Sequence, residues 1–275
     1  MPMPGCWERI AQAARKNRSR LCIGLDVDPA RFPEVLRESK NPVLEFNRRV
    51  IEATVDLVCC YKPNIAFYEA LGGDGLEALR RTIRHIDSRV PVILDVKRGD
   101  IGNTARMYAK AAFEHYGADA VTVNPYLGYD SVSPFLDYAD RGVFLLCLTS
   151  NPGSADFQLV PSGEPLYERV ALAARRWDEG LGRLGLVVGA THPDRVGRIR
   201  ELCGELPFLL PGIGEQGGSV DTVAAAEVER PDRLGVVVNA SRSVIYAGKG
   251  PEFENDVRKA AAELREQIGF PSAKQ

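Results

Sequence analysis

Eight short apolar runs recur along the chain, and within each run Val, Leu and Ile follow one another instead of alternating with polar residues. Nearly continuous apolar runs of this length are typical of parallel strands that are covered on both faces. The runs occupy residues 21–27, 57–64, 92–97, 120–126, 143–150, 184–190, 208–214 and 235–241. This pattern predicts eight buried parallel strands.

Segments with helical spacing separate these runs, with apolar residues three or four positions apart. They occupy residues 42–56, 76–87, 104–117, 166–182 and 194–204, and another at 253–269 closes the chain. A strand followed by a helix, repeated eight times, is the order of a (β/α)8 TIM barrel, with a doubly wound open sheet as the alternative. Because no Gly/Ser-rich linker divides the chain, we expect a single domain over residues 1–275.

Polar residues collect where the predicted strands end. At or just beyond the carboxyl ends of the apolar runs lie Asp26, Lys62, Asn64, Asp95, Lys97, Asn124, Ser150, Gly212, Asn239 and Ser241. In a barrel these strand ends form one rim, and active sites are assembled there from several strands. The arrangement favours an enzyme.

The third run ends in a cluster of charged residues, in the stretch VILDVKRGDIGNTA at residues 92–105. Because side chains alternate along a strand, Ile93, Asp95 and Lys97 are expected to share one face. The apolar residues between them suit packing against the outer helices. Asp95 and Lys97 are therefore expected to point toward the barrel axis.

A second acid, Asp100, follows Lys97 in the predicted loop, and Asn103 or Thr104 is expected to cap the helix after it. Two carboxylates near one lysine favour its charged form, because an opposite charge within about 4 to 6 Å stabilises the ion. Lys97 is therefore expected to act as an ammonium, between Asp95 and Asp100. A Schiff-base lysine, as in an aldolase, needs the opposite, a lowered pKa.

An anion, a cation and a second anion suit a decarboxylation in which the cation protonates the carbanion left by carbon dioxide. A fixed carboxylate beside the carboxylate of the substrate would repel it by roughly 4 kcal/mol at about 4 Å and an effective dielectric constant near 20. That repulsion vanishes as carbon dioxide leaves, and stabilisation by the ammonium of Lys97 adds to it. A structural ion pair at the end of a strand is the alternative.

The loops after the seventh and eighth strands indicate a phosphate site. They read PGIGEQGGS at residues 211–219 and NASRSV at residues 239–244. Loops at these positions of a barrel often bind phosphate through backbone N–H groups, and glycines permit close approach. Arg242 adds a guanidinium that can hold a phosphate with two hydrogen bonds. We expect a phosphorylated substrate.

The connection at residues 149–166 is long and rich in Gly, Ser and Pro, which is typical of a lid that closes over a ligand; an idle surface loop is the alternative. Ser150 and Asn151 at its base could bind an amide-bearing ring.

Composition limits the partners and the location. Lys and Arg number 35 and Asp and Glu 37, a net charge of −2, which gives no sign of a nucleic-acid or membrane partner. No apolar segment resembles a signal peptide or a membrane span, so a cytoplasmic location is expected. The six cysteines lack metal or disulfide spacing and suit a reduced core. His85, His115 and His192 lie far apart and are expected on helix surfaces or loops, so no metal site is predicted.

With these residues in place, the chain resembles the orotidine 5′-phosphate decarboxylase family, in particular its longer bacterial subfamily. DVKRGDIGNTA resembles the D-x-K-x-x-D signature of that family on the third strand. GLD, YKPN, LTSNPGS, PGIGEQGG and SR are similar to further landmarks of the family, in the same order. The resemblance covers about residues 20–245.

The resemblance implies the conversion of orotidine monophosphate to uridine monophosphate and carbon dioxide, the last step of de novo pyrimidine synthesis, without a cofactor. It implies that Lys97 protonates C6 of the pyrimidine and that Asp95 sits beside the departing carboxylate. Lys62 would bind the ribose and join the charged array, and Asp26 would hold a ribose hydroxyl.

The resemblance also implies a homodimer with shared active sites, in which Asp100, Ile101 and Thr104 complete the site of the partner subunit. Ser150 would contact the pyrimidine. The phosphate would be surrounded by Gly212, Gly214, Gln216, Ser241 and Arg242.

Two other functions remain as alternatives. Related sugar-phosphate synthases and decarboxylases share the signature but use magnesium, which would favour a carboxylate at the end of the second strand, where this chain has Lys62. A nucleotide-binding barrel without enzymatic activity would use the phosphate loops but leave Asp95, Lys97 and Asp100 without a role.

Overall fold

The eight predicted strands are present and form one parallel sheet. The structure, a computed structural model, describes residues 4–160, 163–191, 193–212, 220–228 and 233–270. The strands are β1 (Leu21–Gly24), β2 (Cys60–Lys62), β3 (Ile93–Arg98), β4 (Ala120–Val123), β5 (Gly142–Leu148), β6 (Leu184–Val188), β7 (Phe208–Pro211) and β8 (Val236–Ala240). Their order in the sheet is β2-β1-β8-β7-β6-β5-β4-β3, with parallel pairing throughout.

The two ends of this sheet meet and close a barrel. Between β2 and β3, the backbone N–H of Tyr61 donates to the carbonyl of Pro91 at 3.0 Å, and that of Asp95 donates to the carbonyl of Pro63 at 2.9 Å. The prediction of a (β/α)8 barrel is thereby confirmed, and the open sheet is wrong.

Helices surround the barrel in the described part of the chain. They are α1 (Cys6–Asn17), α2 (Pro42–Thr54), α3 (Ile65–Glu69), α4 (Gly72–Ile86), α5 (Gly102–Lys110), α6 (Tyr129–Leu136), α7 (Leu166–Trp177), α8 (Pro193–Cys203), α9 (Val220–Ala226), α10 (Arg242–Ile245) and α11 (Phe253–Ile268). The predicted helical segments are confirmed. α1 was not among them, and it precedes the first strand.

The interior of the barrel is a compact apolar layer to which every strand contributes one residue. These residues are Cys22, Cys60, Ile93, Ala120, Phe144, Val187, Leu209 and Val237. α1 closes the amino end of this layer with Cys6, Trp7 and Ile10. The ring of Trp7 meets that of Phe144 edge to face at 4.9 Å. Because the amino end is filled, the carboxyl end is left for a ligand.

Gly142 shows how closely α1 approaches the barrel. A Cβ at this position would lie 2.7 Å from the Trp7 ring and 2.9 Å from the Cys6 sulfur. Any side chain at position 142 would therefore push α1 away from the barrel.

The cysteines and two of the histidines lie where the sequence predicts them. All six cysteines are buried as free thiols. His85 lies on α4 and contacts Glu52 on the protein surface, and His115 is exposed just after α5. His192 lies outside the described residues. In the described part of the chain, no helix is long and apolar enough to cross a membrane.

The cap predicted for α5 is wrong. The helix begins at Gly102, earlier than the pattern suggests, so neither Asn103 nor Thr104 stands at its first boundary. Ile101 occupies the cap position, and its N–H donates to Oδ1 of Asp100 at 2.8 Å. The carboxylate of Asp100 thus accepts a hydrogen bond from the backbone N–H of Ile101, just before the first turn of α5.

Candidate active site

Asp95 lies between two ammonium groups at the carboxyl rim of the barrel. The Nζ of Lys62 lies 2.8 Å from Oδ2 of Asp95, and the Nζ of Lys97 lies 2.6 Å from Oδ1. Lys62 and Asp95 are 5% and 6% exposed, whereas the side chain of Lys97 is 47% exposed. We call Lys62, Asp95 and Lys97 the charged array. Its Lys62–Asp95 pair is buried, whereas Lys97 is accessible to an incoming ligand.

Burial and charge act in opposite directions on this array. Burial on its own would raise the pKa of Asp95, but Lys62 and Lys97 together hold it well below the usual range. Burial would likewise lower the pKa of Lys62, but Asp95, with a further contribution from Asp26, raises it above the ordinary lysine value. Asp95 and Lys62 are thus held as charged groups at neutral pH.

Lys97 reaches Asp95 through an irregular backbone. Its φ angle is +45°, in the left-handed region that residues other than glycine seldom adopt. The register between β3 and β4 shifts between Leu94 and Arg98, which marks a bulge. Ile93 and Asp95 follow the predicted alternation, with Ile93 in the barrel interior. Strand alternation predicts the meeting of Lys97 with Asp95 but not the bulge that produces it.

Asp100 does not complete this array within one chain. In the described part of the chain it binds the amide of Ile101 and forms no ion pair with Lys97. Within the described residues of one chain, therefore, only Asp95 of the two predicted acids contacts Lys97, and a role for Asp100 beside Lys97 stays a prediction. Just before Asp100, the backbone of Gly99 passes so close to Asn124 that a Cβ on Gly99 would lie 3.0 Å from the carbonyl oxygen of Asn124. The carboxylate of Asp100 accepts the hydrogen bond from Ile101 at the start of α5.

A cleft opens beside Asp95 and runs toward the ends of β7 and β8. It is lined by Asp26, Lys62, Asn64, Asp95, Pro211, Gly212, Asn239, Ala240, Ser241, Arg242 and Ser243. Six residues predicted for the site from the sequence are brought together here: Asp26, Lys62, Asp95, Gly212, Ser241 and Arg242. The cleft thus joins Lys62 and Asp95 to the predicted phosphate loops, and Lys97, bound to Asp95, stands outside its lining.

The segment after β1 places Asp26 at the edge of this cleft. The hydroxyl of Tyr68 donates to the carbonyl of Leu25 at 2.9 Å, and that of Tyr246 donates to the carbonyl of Asp26 at 3.2 Å. The N–H of Asp28 donates to the hydroxyl of Tyr246 at 2.6 Å. The buried Tyr68 and the half-buried Tyr246 therefore hold the backbone on both sides of Asp26.

Two buried oxygens in the cleft have no hydrogen-bond partner among the described residues. They are Oδ1 of Asp26 and Oδ1 of Asn239. Buried polar atoms are seldom left unpaired, so such atoms lining a cleft suit a ligand with hydroxyl or N–H groups.

The predicted phosphate end is partly within the described structure. Gly212 has a φ angle of +94°, which favours glycine there. The hydroxyl of Ser241 donates to the carbonyl of Gly24 at 3.1 Å, and a Cβ on Gly24 would lie 2.8 Å from that of Ser241. Arg242 follows as the first residue of α10. Gly214 and Gln216 lie outside the described residues.

The base of the 149–166 connection is ordered by hydrogen bonds. The N–H of Thr149 donates to Oε1 of Gln158 at 2.8 Å, and its hydroxyl donates to Oδ1 of Asn151 at 2.6 Å. Ser150 lies between them, half-buried and close to the backbone of Gly189. Movement of this connection over a ligand stays a prediction.

Ile101 and Thr104 lie away from the cleft, on an exposed part of the surface. Ile101 shares this surface with Met107 of α5 and with Tyr126, whose side chain is 78% exposed. Tyr126 lies in the short turn Pro125–Leu127 just before α6, which packs beside α5. In the described chain none of them lines the cleft beside Asp95.

Thr122 is a further residue of this site, and its sequence context does not single it out. It lies on β4, is 1% exposed, and donates its hydroxyl to Oδ1 of Asp95 at 2.8 Å. The one available signal was a polar residue within the apolar run AVTV. Threonine is common in strands, so the run reads as ordinary.

The residues at the rim do not resemble a magnesium site. At the end of β2, where such a site would favour a carboxylate, Lys62 is paired with Asp95. In the described ranges no three His, Cys, Asp or Glu side chains come together as a metal site would require.

Comparison with known proteins agrees with this geometry. A family model described as Orotidine 5'-phosphate decarboxylase / HUMPS family matches residues 19–254. Orotidine 5'-phosphate decarboxylase of Herpetosiphon aurantiacus is 51% identical over 92% of this chain and 94% of the relative. That of Aromatoleum aromaticum is also 51% identical, over 94% of this chain and 96% of the relative.

Solved structures give the same result. The OMP decarboxylase of Leishmania donovani superposes with a TM-score of 0.82 and is 40% identical, over 96% of this chain and 97% of that one. The match extends over nearly the whole chain. The chain belongs to the orotidine 5'-phosphate decarboxylase / HUMPS family.

Proposed function

We propose that the cleft decarboxylates orotidine 5′-phosphate without a cofactor and that Lys97 donates the proton that replaces the lost carboxylate. The family and the names of relatives about 50% identical make the chain an orotidine 5′-phosphate decarboxylase, a carboxy-lyase of the pyrimidine pathway. The proposal concerns how its residues act. The observation that carries it is the contact of Asp95 with two ammonium groups, 2.8 and 2.6 Å away, at one end of the cleft.

The reaction runs in two linked events at C6 of the pyrimidine. The bond between C6 and the carboxylate breaks, carbon dioxide leaves, and the electron pair stays on C6. The ammonium of Lys97 then donates a proton to C6 and becomes an amine, which regains a proton from water. Lys97 suits this role because its side chain is the accessible end of the array.

Asp95 acts through its fixed negative charge. Held ionised by Lys62 and Lys97, it would lie beside the carboxylate of the substrate and repel it until carbon dioxide leaves. The same charge keeps the Lys97 ammonium in place to meet the electron pair on C6. Lys62 keeps Asp95 charged despite its burial.

The other end of the cleft would hold the phosphate and ribose. Gly212, Ser241 and Arg242 supply backbone and guanidinium donors at the loops after β7 and β8. Asp26 has an unpaired buried oxygen in the described structure, which suits a ribose hydroxyl. Ser150, at the base of the 149–166 connection, is proposed to contact the pyrimidine.

We also propose a homodimer in which Asp100, Ile101 and Thr104 reach the cleft of the partner. Ile101, Met107 and Tyr126 are large exposed apolar side chains, which supports this because exposed apolar surface is typical of interaction sites. Asp100 lacks a lysine partner within its own described chain, and Lys97 has an exposed side available. A cytoplasmic location and a single domain over residues 1–275 stay predictions.

The activity is tested by following the absorbance change of orotidine 5′-phosphate after treatment of the protein with EDTA. Turnover that resists EDTA supports the cofactor-free reaction. No turnover by the folded protein would overturn it, and turnover only with added magnesium would favour the sugar-phosphate type of chemistry.

A further inference from the structure

The hydroxyl of Thr122 links the carboxylate of Asp95 to the backbone of Val96 and Lys97. It donates to Oδ1 of Asp95 at 2.8 Å and accepts from the N–H groups of Val96 and Lys97, each at 3.0 Å. A threonine hydroxyl has one proton and two lone pairs, so these three bonds use its full capacity. Because both amides can only donate, its proton must point to Asp95.

The two amides belong to the bulge that gives Lys97 its unusual conformation. The pairing of β3 with β4 shifts register at this point, and the φ angle of Lys97 is +45°. Such a conformation persists only where its surroundings hold it, because it is unfavourable for residues other than glycine. The Thr122 hydroxyl accepts hydrogen bonds from two successive N–H groups of the bulge and thus stabilises its conformation.

We propose that Thr122 is a positioning residue for the decarboxylation, which places the Asp95 carboxylate and the Lys97 ammonium relative to each other. This inference rests on the proposed function of the cleft. Thr122 is buried beneath the array and does not line the cleft, so it acts through Asp95 and Lys97. The other end of the cleft, where the ribose and phosphate are proposed to bind, is lined by residues at or after the ends of β1, β7 and β8. Loss of the hydroxyl should therefore slow the chemical step more than it weakens binding.

Two variants separate the hydroxyl from the bulk of the side chain. Thr122→Val keeps the shape but removes the hydroxyl, and Thr122→Ser keeps the hydroxyl but removes the methyl group. Thr54→Val is the matched control, because Thr54 is also buried, on α2, and bonds the carbonyl of Val50 and the hydroxyl of Tyr61 away from the cleft.

We expect Thr122→Val to lower kcat by about 10- to 100-fold, since displacement of a reacting group by about 1 Å has effects of this size. KM and the affinity for uridine 5′-phosphate should change by less than about threefold. Thr122→Ser should keep kcat within about threefold of the wild-type value, and Thr54→Val should lower the melting temperature without lowering kcat.

Several results would overturn the inference. They are an unchanged kcat in Thr122→Val, an equal loss of kcat in Thr54→Val, or a Thr122→Ser variant that is folded but slowed tenfold or more. If Thr122→Val does not fold, Thr122→Cys, which replaces the hydroxyl by a thiol, takes its place with the same expected loss of kcat, and an unchanged kcat in that variant would overturn the inference. Wild-type protein inactive toward orotidine 5′-phosphate would instead contradict the proposed function.

Discussion

Lys62 and Asp95 form an ion pair of 2.8 Å that is almost completely buried at the barrel rim, and Lys97 contacts the opposite oxygen of the same carboxylate. Breaking a buried pair by removing one partner commonly costs about 3 to 5 kcal/mol, because the remaining charge is left without compensation. The second ammonium allows Asp95 to stay charged beside a cleft that receives another carboxylate. The array therefore has consequences for stability as well as for catalysis.

The pKa of Asp95 predicts a loss of stability in acid. In the folded protein this pKa lies below the value of about 4 in the unfolded chain. The stabilisation from the carboxylate is thus present above about pH 4 and is lost as the pH falls toward the folded value. Lys62 has a raised pKa, so its contribution is complete below about pH 10 and is lost only in strong alkali.

We expect the free energy of unfolding of the wild type, from urea titrations, to fall more between about pH 5 and pH 3 than that of Asp95→Asn. Asp56→Asn is the surface control: Asp56 also has a lowered pKa, from its hydrogen bond to Arg258, but is exposed. Solvent screening should make its effect small. An acid dependence that is the same in Asp95→Asn and the wild type would show that Asp95 does not contribute.

The proposed sharing of sites predicts complementation between two inactive variants. In a mixed dimer of Lys97→Ala and Asp100→Ala subunits, one site would contain both mutations and the other site neither. Equal mixing after subunit exchange should therefore restore about a quarter of wild-type activity, because half of the dimers are mixed and each has one intact site. Each variant alone should be nearly inactive.

Sedimentation of the wild type provides the control for this experiment. A monomer at all concentrations, or a stable dimer whose mixed form shows no recovery although subunit exchange is verified, would contradict the shared site.

The phosphate end of the cleft predicts a substrate-dependent effect of Arg242. Arg242→Ala should lower kcat/KM for orotidine 5′-phosphate by about 10²-fold or more, because a guanidinium bound to phosphate contributes through charge and paired hydrogen bonds. Activity toward orotidine, which lacks the phosphate, should be unaffected. Arg37→Ala, at an exposed arginine that does not line the cleft, is the control. Equal losses with both substrates would place Arg242 in another role.

α1 predicts that stability and activity can be separated. Trp7→Ala should lower the free energy of unfolding by about 3 to 5 kcal/mol, because it opens a cavity at the amino end of the barrel. The cleft lies at the opposite end, so kcat of the folded variant should stay near the wild-type value. Trp7→Phe, which keeps an aromatic ring, should lose less. Thermal melts and assays at 25 °C test this, and a large loss of kcat at full folding would contradict it.

The strands and most helices could be predicted from the sequence because burial on both faces leaves continuous apolar runs. The rim could be predicted for the same reason: Asp26, Lys62 and Asp95 each interrupt or end such a run. The position of α1 could not be predicted in this way. Its apolar face has the spacing of any amphipathic surface helix, and nothing in that spacing shows that it packs against the amino end of the barrel.

Other features depend on contacts that no local pattern records. The bulge at Lys97 breaks strand alternation, and the role of Thr122 depends on the neighbouring strand beside it. Asp100 and Thr104 lie in a recognisable motif, but a single chain gives them no place in its own cleft. The proposed homodimer would place them in the cleft of the partner subunit.

The role of Lys97 as proton donor is tested most directly by comparing kcat for orotidine 5′-phosphate in the wild type, in Lys97→Ala and in the control Lys259→Ala. Lys259 is a lysine on α11. General acid catalysis and charge stabilisation together predict a loss of at least about 10³-fold in Lys97→Ala. Lys259→Ala should match the wild type. A folded Lys97→Ala protein that keeps kcat within about tenfold would contradict the assignment of Lys97 as the proton donor.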